Sequence, residues 1–268
     1  MPFLDRAGAK IYFEMNGPAG ASTDVPIITL VNGHMRTSSD FKMMAKYLVE
    51  NGFRVIVMDN RGAGRSVTHS EFDLDDMAAD VVAIWDQLGV SQSHLLGISM
   101  GGMIAQWIAG HHASRLKSLV LVSTCPNRDW IQDHGSYAWS DDEVQVEKKL
   151  SWYFSAEFLS ANRLLVAAMA KQMAKAAREG AFLEESKRQM AAMRGFDATP
   201  ILVRITAQTL VIHGSEDAIV PPVAARTLAA DIRGASVRMF PGAGHLLLAE
   251  RPRELYEIIA RFCKGEKI

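Results

Sequence analysis

The stretch Gly97-Ile98-Ser99-Met100-Gly101 separates two apolar runs, at residues 93–96 and 102–109. The first run favours a short buried strand and the second favours a helix. A serine flanked by glycines at such a junction is expected to occupy a sharp turn that exposes its hydroxyl group. The start of the following helix presents unpaired backbone N–H groups, which favour developing negative charge. The stretch therefore predicts Ser99 as a nucleophile for acyl transfer.

A serine hydroxyl group is a weak nucleophile at neutral pH, so Ser99 requires a base and a carboxylate that orients the base. Asp217 lies in the loop after a strand-like apolar run at residues 209–212. His245 ends a Pro-Gly-Ala-Gly-His loop after an alternating run at residues 236–240. Because the C-terminal ends of parallel strands share one edge of a sheet, the three side chains are expected to converge. We predict Asp217 as the orienting acid and His245 as the general base.

With these motifs, the chain resembles the α/β-hydrolase superfamily, in its small serine-esterase-like branch. The matching pieces are the 97–101 stretch, the acid loop at residues 213–217, Gly244-His245, and residues 59–66, which are similar to the superfamily's D-x-R-G-x-G-x-S loop. The resemblance covers almost the whole chain except about residues 125–196. It implies an α/β-hydrolase fold with a mostly parallel, doubly wound sheet. It also implies catalysis with neither a metal nor an organic cofactor.

Two backbone donors are expected to form an oxyanion hole. One is the N–H of Met100, the residue after the nucleophile. The other is expected in the loop after the strand-like run at residues 26–31, which reads Asn32-Gly33-His34-Met35-Arg36. The superfamily usually has His-Gly at the first two of these positions, so Asn32 departs from the pattern. We predict the backbone N–H of His34 as the second donor, and the His34 side chain as an alternative contact to substrate.

Further residues near these loops are candidates for the substrate pocket. They are Gly33, Met35, Cys125 and Trp152. A buried, unreactive thiol is the competing interpretation of Cys125, because no activating charge is evident beside it in the sequence. His213 and residues 59–62 are interpreted as structural.

The remaining pattern predicts one α/β core with an inserted helical segment. Strand-like runs alternate with helical patterns over residues 1–125 and 197–268, which favours a doubly wound sheet. Residues 126–196 contain no β-branched run, and helical periodicity predicts about three helices, at 143–154, 157–178 and 183–194. We predict that this segment is a cap above Ser99; the alternative is a segment that packs only on itself.

Composition excludes several classes of protein. A chain of 268 residues is long enough for one large α/β domain with an insertion. The net charge of −1 gives no electrostatic footprint for nucleic acid or an anionic membrane. The two cysteines form no disulfide framework or metal-ligand spacing, and neither a signal peptide nor an 18-residue apolar span is visible. We predict a cytoplasmic protein that acts on a small molecule, as a monomer or a homodimer.

The predicted reaction is hydrolysis of a small carboxylic ester or related acyl compound. The same triad also serves carbon–carbon bond hydrolases and enol-lactonases, and residues 101–107 are similar to the enol-lactonase version of this helix. An alternative from another class is a ligand-sensing or partner-binding protein on a hydrolase scaffold. Enzymes that need a carboxylate nucleophile are disfavoured because position 99 is serine.

Overall fold

The computed structural model describes residues 2–18, 25–132 and 139–268. Within these residues, nine strands form one sheet in the order β1-β2-β4-β3-β6-β7-β8-β9, with β5 beside β2. Strands β3, β4 and β6 to β9 pair in parallel, whereas β1, β2 and β5 pair antiparallel. The strands are β1 (Phe3–Arg6), β2 (Ala9–Asn16), β3 (Ile27–Val31), β4 (Arg54–Met58), β5 (Val67–Thr68), β6 (Ser93–Ile98), β7 (Leu116–Val122), β8 (Gln208–Gly214) and β9 (Ser236–Phe240). The predicted fold class, a mostly parallel α/β sheet, is confirmed.

Helices cover both faces of this sheet, as the continuous apolarity of its central strands requires. The described helices are α1 (Lys42–Glu50), α2 (Leu74–Gln87), α3 (Met100–His111), α4 (Glu143–Leu150), α5 (Ala156–Ala161), α6 (Arg163–Glu179), α7 (Phe182–Met193), α8 (Val223–Asp231), α9 (Leu247–Glu250) and α10 (Pro252–Cys263). Helices α2, α3 and α8 bury their apolar stripes on one face, and α1 and α10 bury theirs on the other. All six residues of β6 are buried. The strand that carries Ser99 therefore lies in the centre of the molecule.

The turn between β6 and α3 depends on glycine for close packing. A Cβ atom on Gly97 would lie 2.2 Å from the carbonyl oxygen of Gly101, and one on Gly101 would lie 2.2 Å from that of Val31. Between them, Ser99 has a φ of 54° and a ψ of −119°, a left-handed conformation that costs a non-glycine residue free energy. The tight approach of strand and helix thus forces Ser99 to the tip of the turn.

Helices α4 to α7 follow β7 and precede β8, in the stretch for which the sequence predicts a cap. Residues 133–138 of that stretch lie outside the described residues. The four helices share an apolar cluster of their own, which includes Trp139, Leu150, Phe154 and Val166. We call residues 139–196 the helical segment.

The predicted helix boundaries in this segment are partly wrong. The first helix ends at Leu150 rather than at 154, and the predicted second helix is two helices, α5 and α6, that meet at Asn162. The Ser155 side chain caps the start of α5 by accepting a hydrogen bond from the backbone N–H of Phe158. At the break, Asn162 has a φ of −126° and a ψ of 32°, outside the helical range, and its Nδ2 donates to the carbonyl oxygen of Phe158 at 3.0 Å. Periodicity alone does not reveal this break, because the apolar spacing continues across it.

None of the helices in the described ranges is both long enough and apolar enough to span a membrane.

Candidate active site

The structure brings Ser99, His245 and Asp217 together at the C-terminal edge of the sheet. The distance from Ser99 Oγ to His245 Nε2 is 3.1 Å, and that from His245 Nδ1 to Asp217 Oδ2 is 2.7 Å. A carboxylate only accepts hydrogen bonds, so Nδ1 of His245 carries the proton and Nε2 is the acceptor for the Ser99 hydroxyl group. His245 and Asp217 are 2% and 4% exposed, which keeps this chain of hydrogen bonds out of water.

The Asp217 carboxylate is surrounded by donors. Its Oδ1 accepts the backbone N–H groups of Ile219 and Val220, both at 2.9 Å. Its Oδ2 accepts from His245 and lies 3.1 Å from Nε2 of His213. Burial by itself would raise the pKa of Asp217, but the charge of His245 and the hydrogen bonds from His213 and His245 outweigh burial and hold the pKa well below its usual range. The carboxylate therefore stays ionised at any working pH.

His213 has contacts of the structural kind that the sequence suggested, and it also lies against the carboxylate of Asp217. Its ring is fully buried, and Nε2 lies 2.9 Å from the carbonyl oxygen of Val220, so this nitrogen carries the proton. The same N–H also points towards Asp217. His213 thus links the end of β8 to the carboxylate that orients His245.

The loop at residues 32–37, which follows β3, packs directly against Ser99. Val31 pairs with Gly97 in the sheet, and a Cβ atom on Gly33 would lie 3.2 Å from that of Ser99. Asn32 organises the loop: its Oδ1 accepts the N–H of Gly33 at 2.9 Å, and its Nδ2 donates to the carbonyl oxygen of Thr37 at 2.9 Å. The unusual Asn32 therefore acts through local turn bonds.

His34 uses its side chain to contact the helical segment. Its Nε2 lies 3.0 Å from the carbonyl oxygen of Ser186 and 3.2 Å from Ser186 Oγ. Burial lowers the pKa of His34 to about 4, against a smaller opposing effect of the Ser186 bond and with a further lowering by Lys149. The ring is neutral at pH 7 and donates from Nε2. The backbone N–H groups of His34 and Met100 have no hydrogen-bond acceptor among the described residues, so both are available to a ligand.

A cavity of about 70 Å³ opens beside Ser99 and His245. Its walls are mainly apolar and come from both the sheet edge and the helical segment. Arg36 lines it while paired with Asp40 at 2.8 Å. The other lining residues are Asn32, Gly33, His34, Ile98, Arg128, Ile131, Trp139, Leu150, Tyr153, Met173, Met190, Met193, Ile219 and Leu246.

Three predicted pocket residues do not line this cavity, whereas Gly33 does. Cys125 is fully buried in the core, and burial raises the pKa of its thiol to about 12, so the inert interpretation is the better one. Trp152 is partly buried and packs against the apolar cluster on the α2–α3 side of the sheet. Met35 packs against the apolar cluster of the helical segment. For all three, the position along the chain indicated a place near the pocket but not the direction of the side chain.

Sequence reasoning missed a carboxylate that holds the His245 loop. Glu250 is buried, and its Oε1 accepts the N–H groups of Gly244 and Ser155, both at 3.0 Å, while its Oε2 accepts from Ser155 Oγ at 2.6 Å. The ring of Tyr153 lies edge-on to that of His245, with centroids 5.5 Å apart. The sequence shows an acidic residue, Glu250, shortly after His245. It does not show that this residue pairs with Ser155 in the helical segment.

In the described part of the chain, no three His, Cys, Asp or Glu side chains are grouped so that they could hold a metal ion.

The model of the α/β-hydrolase fold family matches residues 26–176, more than half of the chain. With the fold and the arrangement at Ser99, this match places the chain in the α/β-hydrolase family. The protein is a hydrolase of that family.

Relatives and solved structures match along nearly the whole chain. A protein assigned as a carbamate hydrolase in Variovorax paradoxus is 27% identical over 248 residues, which cover 88% of this chain and 89% of its own. The 3-oxoadipate enol-lactonase 1 of Acinetobacter baylyi is 24% identical over 270 residues, which cover 97% of this chain and 96% of its own. The crystal structure of MGS-M2, an α/β-hydrolase enzyme from a Medee basin deep-sea metagenome library, has a TM-score of 0.87 at 19% identity and covers 99% of this chain and 98% of that one. At that identity, the structural likeness bears on the fold alone.

Proposed function

We propose that this hydrolase cleaves a small carboxylic ester or related acyl compound through an acyl-enzyme on Ser99. The observation that carries the proposal is the continuous hydrogen-bonded chain from Ser99 Oγ through His245 to Asp217. His245 takes the proton as Ser99 attacks the carbonyl carbon, and then gives it to the leaving alcohol. Water attacks the acyl-enzyme with His245 again as base, and Ser99 is released.

The oxyanion of each tetrahedral intermediate is assigned to two backbone N–H groups. Met100 lies at the start of α3, where the helix dipole also favours negative charge. His34 lies in the loop that packs against Ser99. Both donors are fixed before substrate arrives, which is the arrangement that stabilises developing charge most effectively.

Residues 126–196 are proposed as a cap that shapes the acyl pocket. Their described part supplies walls to the cavity, including Trp139, Tyr153 and Met190. The apolar walls favour an uncharged acyl group.

An enol-lactone is the second candidate substrate. A lactone is a cyclic ester, so it needs the same nucleophile, base and donors and differs in the shape that the cavity must hold. The 3-oxoadipate enol-lactonase relative, which aligns with 97% of this chain, favours this candidate. The carbamate hydrolase relative adds carbamates to the compounds worth testing.

The proposal is tested by the Ser99→Ala variant with a panel of p-nitrophenyl acetate and butyrate, an enol-lactone and an aryl carbamate. We expect multiple turnovers by the wild type on at least one of them, and a loss of at least about 1,000-fold in kcat with Ser99→Ala. A fluorophosphonate probe should label the wild type and not the variant. Ser160→Ala, on the exposed surface of α5, is the matched control and should keep wild-type activity and labelling.

Two results would contradict the proposal. Full turnover by purified Ser99→Ala would remove Ser99 as the nucleophile. Tight binding of these compounds by the wild type without a second turnover would favour a ligand-binding protein on the hydrolase scaffold.

A further inference from the structure

Helix α7 of the helical segment is joined to the 32–37 loop by a buried glutamine. Gln189 is fully buried, and its Oε1 accepts the backbone N–H of Met35 at 2.8 Å. Its Nε2 donates to the carbonyl oxygen of Arg61 at 2.6 Å. One end of the amide faces a donor and the other faces an acceptor, which fixes the orientation of the side chain. Ser186, one turn earlier on α7, holds the ring of His34.

The N–H that Gln189 accepts belongs to a residue in an unfavourable conformation. Met35 has a φ of 54°, in the left-handed region. The N–H of Arg36 donates to the carbonyl oxygen of Gly33 at 3.2 Å, which closes a turn with Met35 in third place. A left-handed third residue is typical of a type II turn, where glycine or asparagine normally stands. For methionine the conformation costs about 1–3 kcal/mol, so something must stabilise it.

The hydrogen bond to Gln189 stabilises the left-handed conformation of Met35. The peptide between His34 and Met35 is oriented so that its N–H faces Gln189. Rotation of Met35 to a negative φ would turn this N–H away from Oε1 and leave the buried amide oxygen of Gln189 without its donor. Met35 is the third residue of the turn whose second residue is His34, so the same bond supports the turn that carries the N–H of His34.

We propose that Gln189 is a positioning residue for the oxyanion hole: by holding Met35 in its left-handed conformation, it aims the His34 N–H at the reacting carbonyl group. This inference rests on the proposed function, in which His34 is a donor. It makes α7 part of the catalytic support, in addition to a wall of the cavity. Gln189 itself does not line the cavity.

The test is a double-mutant cycle between Gln189 and Met35. Gln189→Met replaces the amide with an apolar side chain of similar length. We expect kcat on the best substrate of the panel to fall about 10- to 100-fold with KM within about threefold, because a misplaced donor affects mainly the transition state. The Ki of a boronic acid that mimics the tetrahedral intermediate should rise by a similar factor. Lys187→Met, on the exposed side of the same helix, should change neither value.

The second arm uses Met35→Gly, because glycine adopts a positive φ without strain. In that background the loss caused by Gln189→Met should shrink to about threefold or less. Thermal unfolding of each variant reports whether it is folded. If Gln189→Met does not fold by itself, Gln189→Leu replaces it in both backgrounds, and its loss of kcat should again be smaller when Met35→Gly is present.

The outcomes separate this inference from the proposed function. Equal losses from Gln189→Met in the two backgrounds, or a loss confined to KM, would overturn the positioning role while leaving Ser99 as the nucleophile. Failure of the proposed function appears instead as activity that survives Ser99→Ala.

Discussion

Asp217 shows how a single residue is prepared for its proposed task. Four donors converge on its carboxylate: the N–H groups of Ile219 and Val220 and the rings of His213 and His245. Such a carboxylate neither protonates nor rotates, so it fixes the tautomer of His245 that leaves Nε2 free to accept a proton. His213, which precedes Asp217 in the chain, and Ile219 and Val220, which follow it, thus hold the carboxylate in place.

Replacement of Asp217 by asparagine should therefore lower kcat by about 1,000- to 10,000-fold with little change in KM, because the amide stabilises the wrong tautomer of His245 and carries no charge. Steady-state kinetics on the best ester or lactone measures this. The control is Glu216→Gln, an exposed neighbour. A larger effect at Glu216 than at Asp217 would show that the acid has been assigned to the wrong residue.

At the scale of elements, the junction of β6 and α3 is set by backbone packing. Gly97, Gly101 and Val31 come so close that no side chain fits between them. The same contact that forces Ser99 outward also places the 32–37 loop beside it. Geometry at the site is therefore a consequence of how one strand and one helix pack.

Gly101→Ala should destabilise the protein by about 3 kcal/mol or more, because the new Cβ atom would overlap the carbonyl oxygen of Val31 and force strand and helix apart. Urea unfolding at pH 7 measures the change. Gly195→Ala is the control, since a Cβ atom there meets nothing within 4 Å and the free energy of unfolding should change by less than about 1 kcal/mol. Equal stability of Gly101→Ala and wild type would refute the packing argument.

The sequence predicts the parts of the site that local rules determine. Ser99, Asp217 and His245 each follow a strand-like run, and the rule that parallel strands end at one edge brings them together. Contacts of Gln189 and Glu250 escape prediction because each joins elements far apart in sequence. A buried polar residue on an amphipathic helix gives no sign of which loop it meets.

Over the whole molecule, bonds among the described residues attach the helical segment to both loops of the site. Gln189 and Ser186 hold the 32–37 loop, and Glu250 joins Ser155 to Gly244 beside His245. The segment consequently contacts both the base loop and the donor loop. A displacement of the segment as one body would disturb both.

Stability of the whole molecule should depend on pH through buried histidines. His94 is 7% exposed, and burial, with Lys117 nearby, lowers its pKa from 6.5 to about 4. The unfolded chain therefore binds this proton at a pH where the folded protein does not, so stability is complete above about pH 6.5 and falls as the pH decreases towards 4. His34 contributes in the same window.

The expected slope from His94 is up to about 1.4 kcal/mol per pH unit within that window. Urea unfolding at pH 7, 6 and 5 measures it, and His94→Gln should flatten the dependence. His69→Gln, at an exposed position, should leave it unchanged. A His94→Gln protein whose stability falls as steeply as that of the wild type would show that His94 is not responsible.

The left-handed conformation of Ser99 has a consequence for how this chain can change over time. The strain at the turn is present whether or not substrate is bound, so the folded state carries it permanently. A glycine at position 99 would relieve it and remove the proposed nucleophile in the same step. Stability and the proposed turnover therefore make opposite demands on this one position.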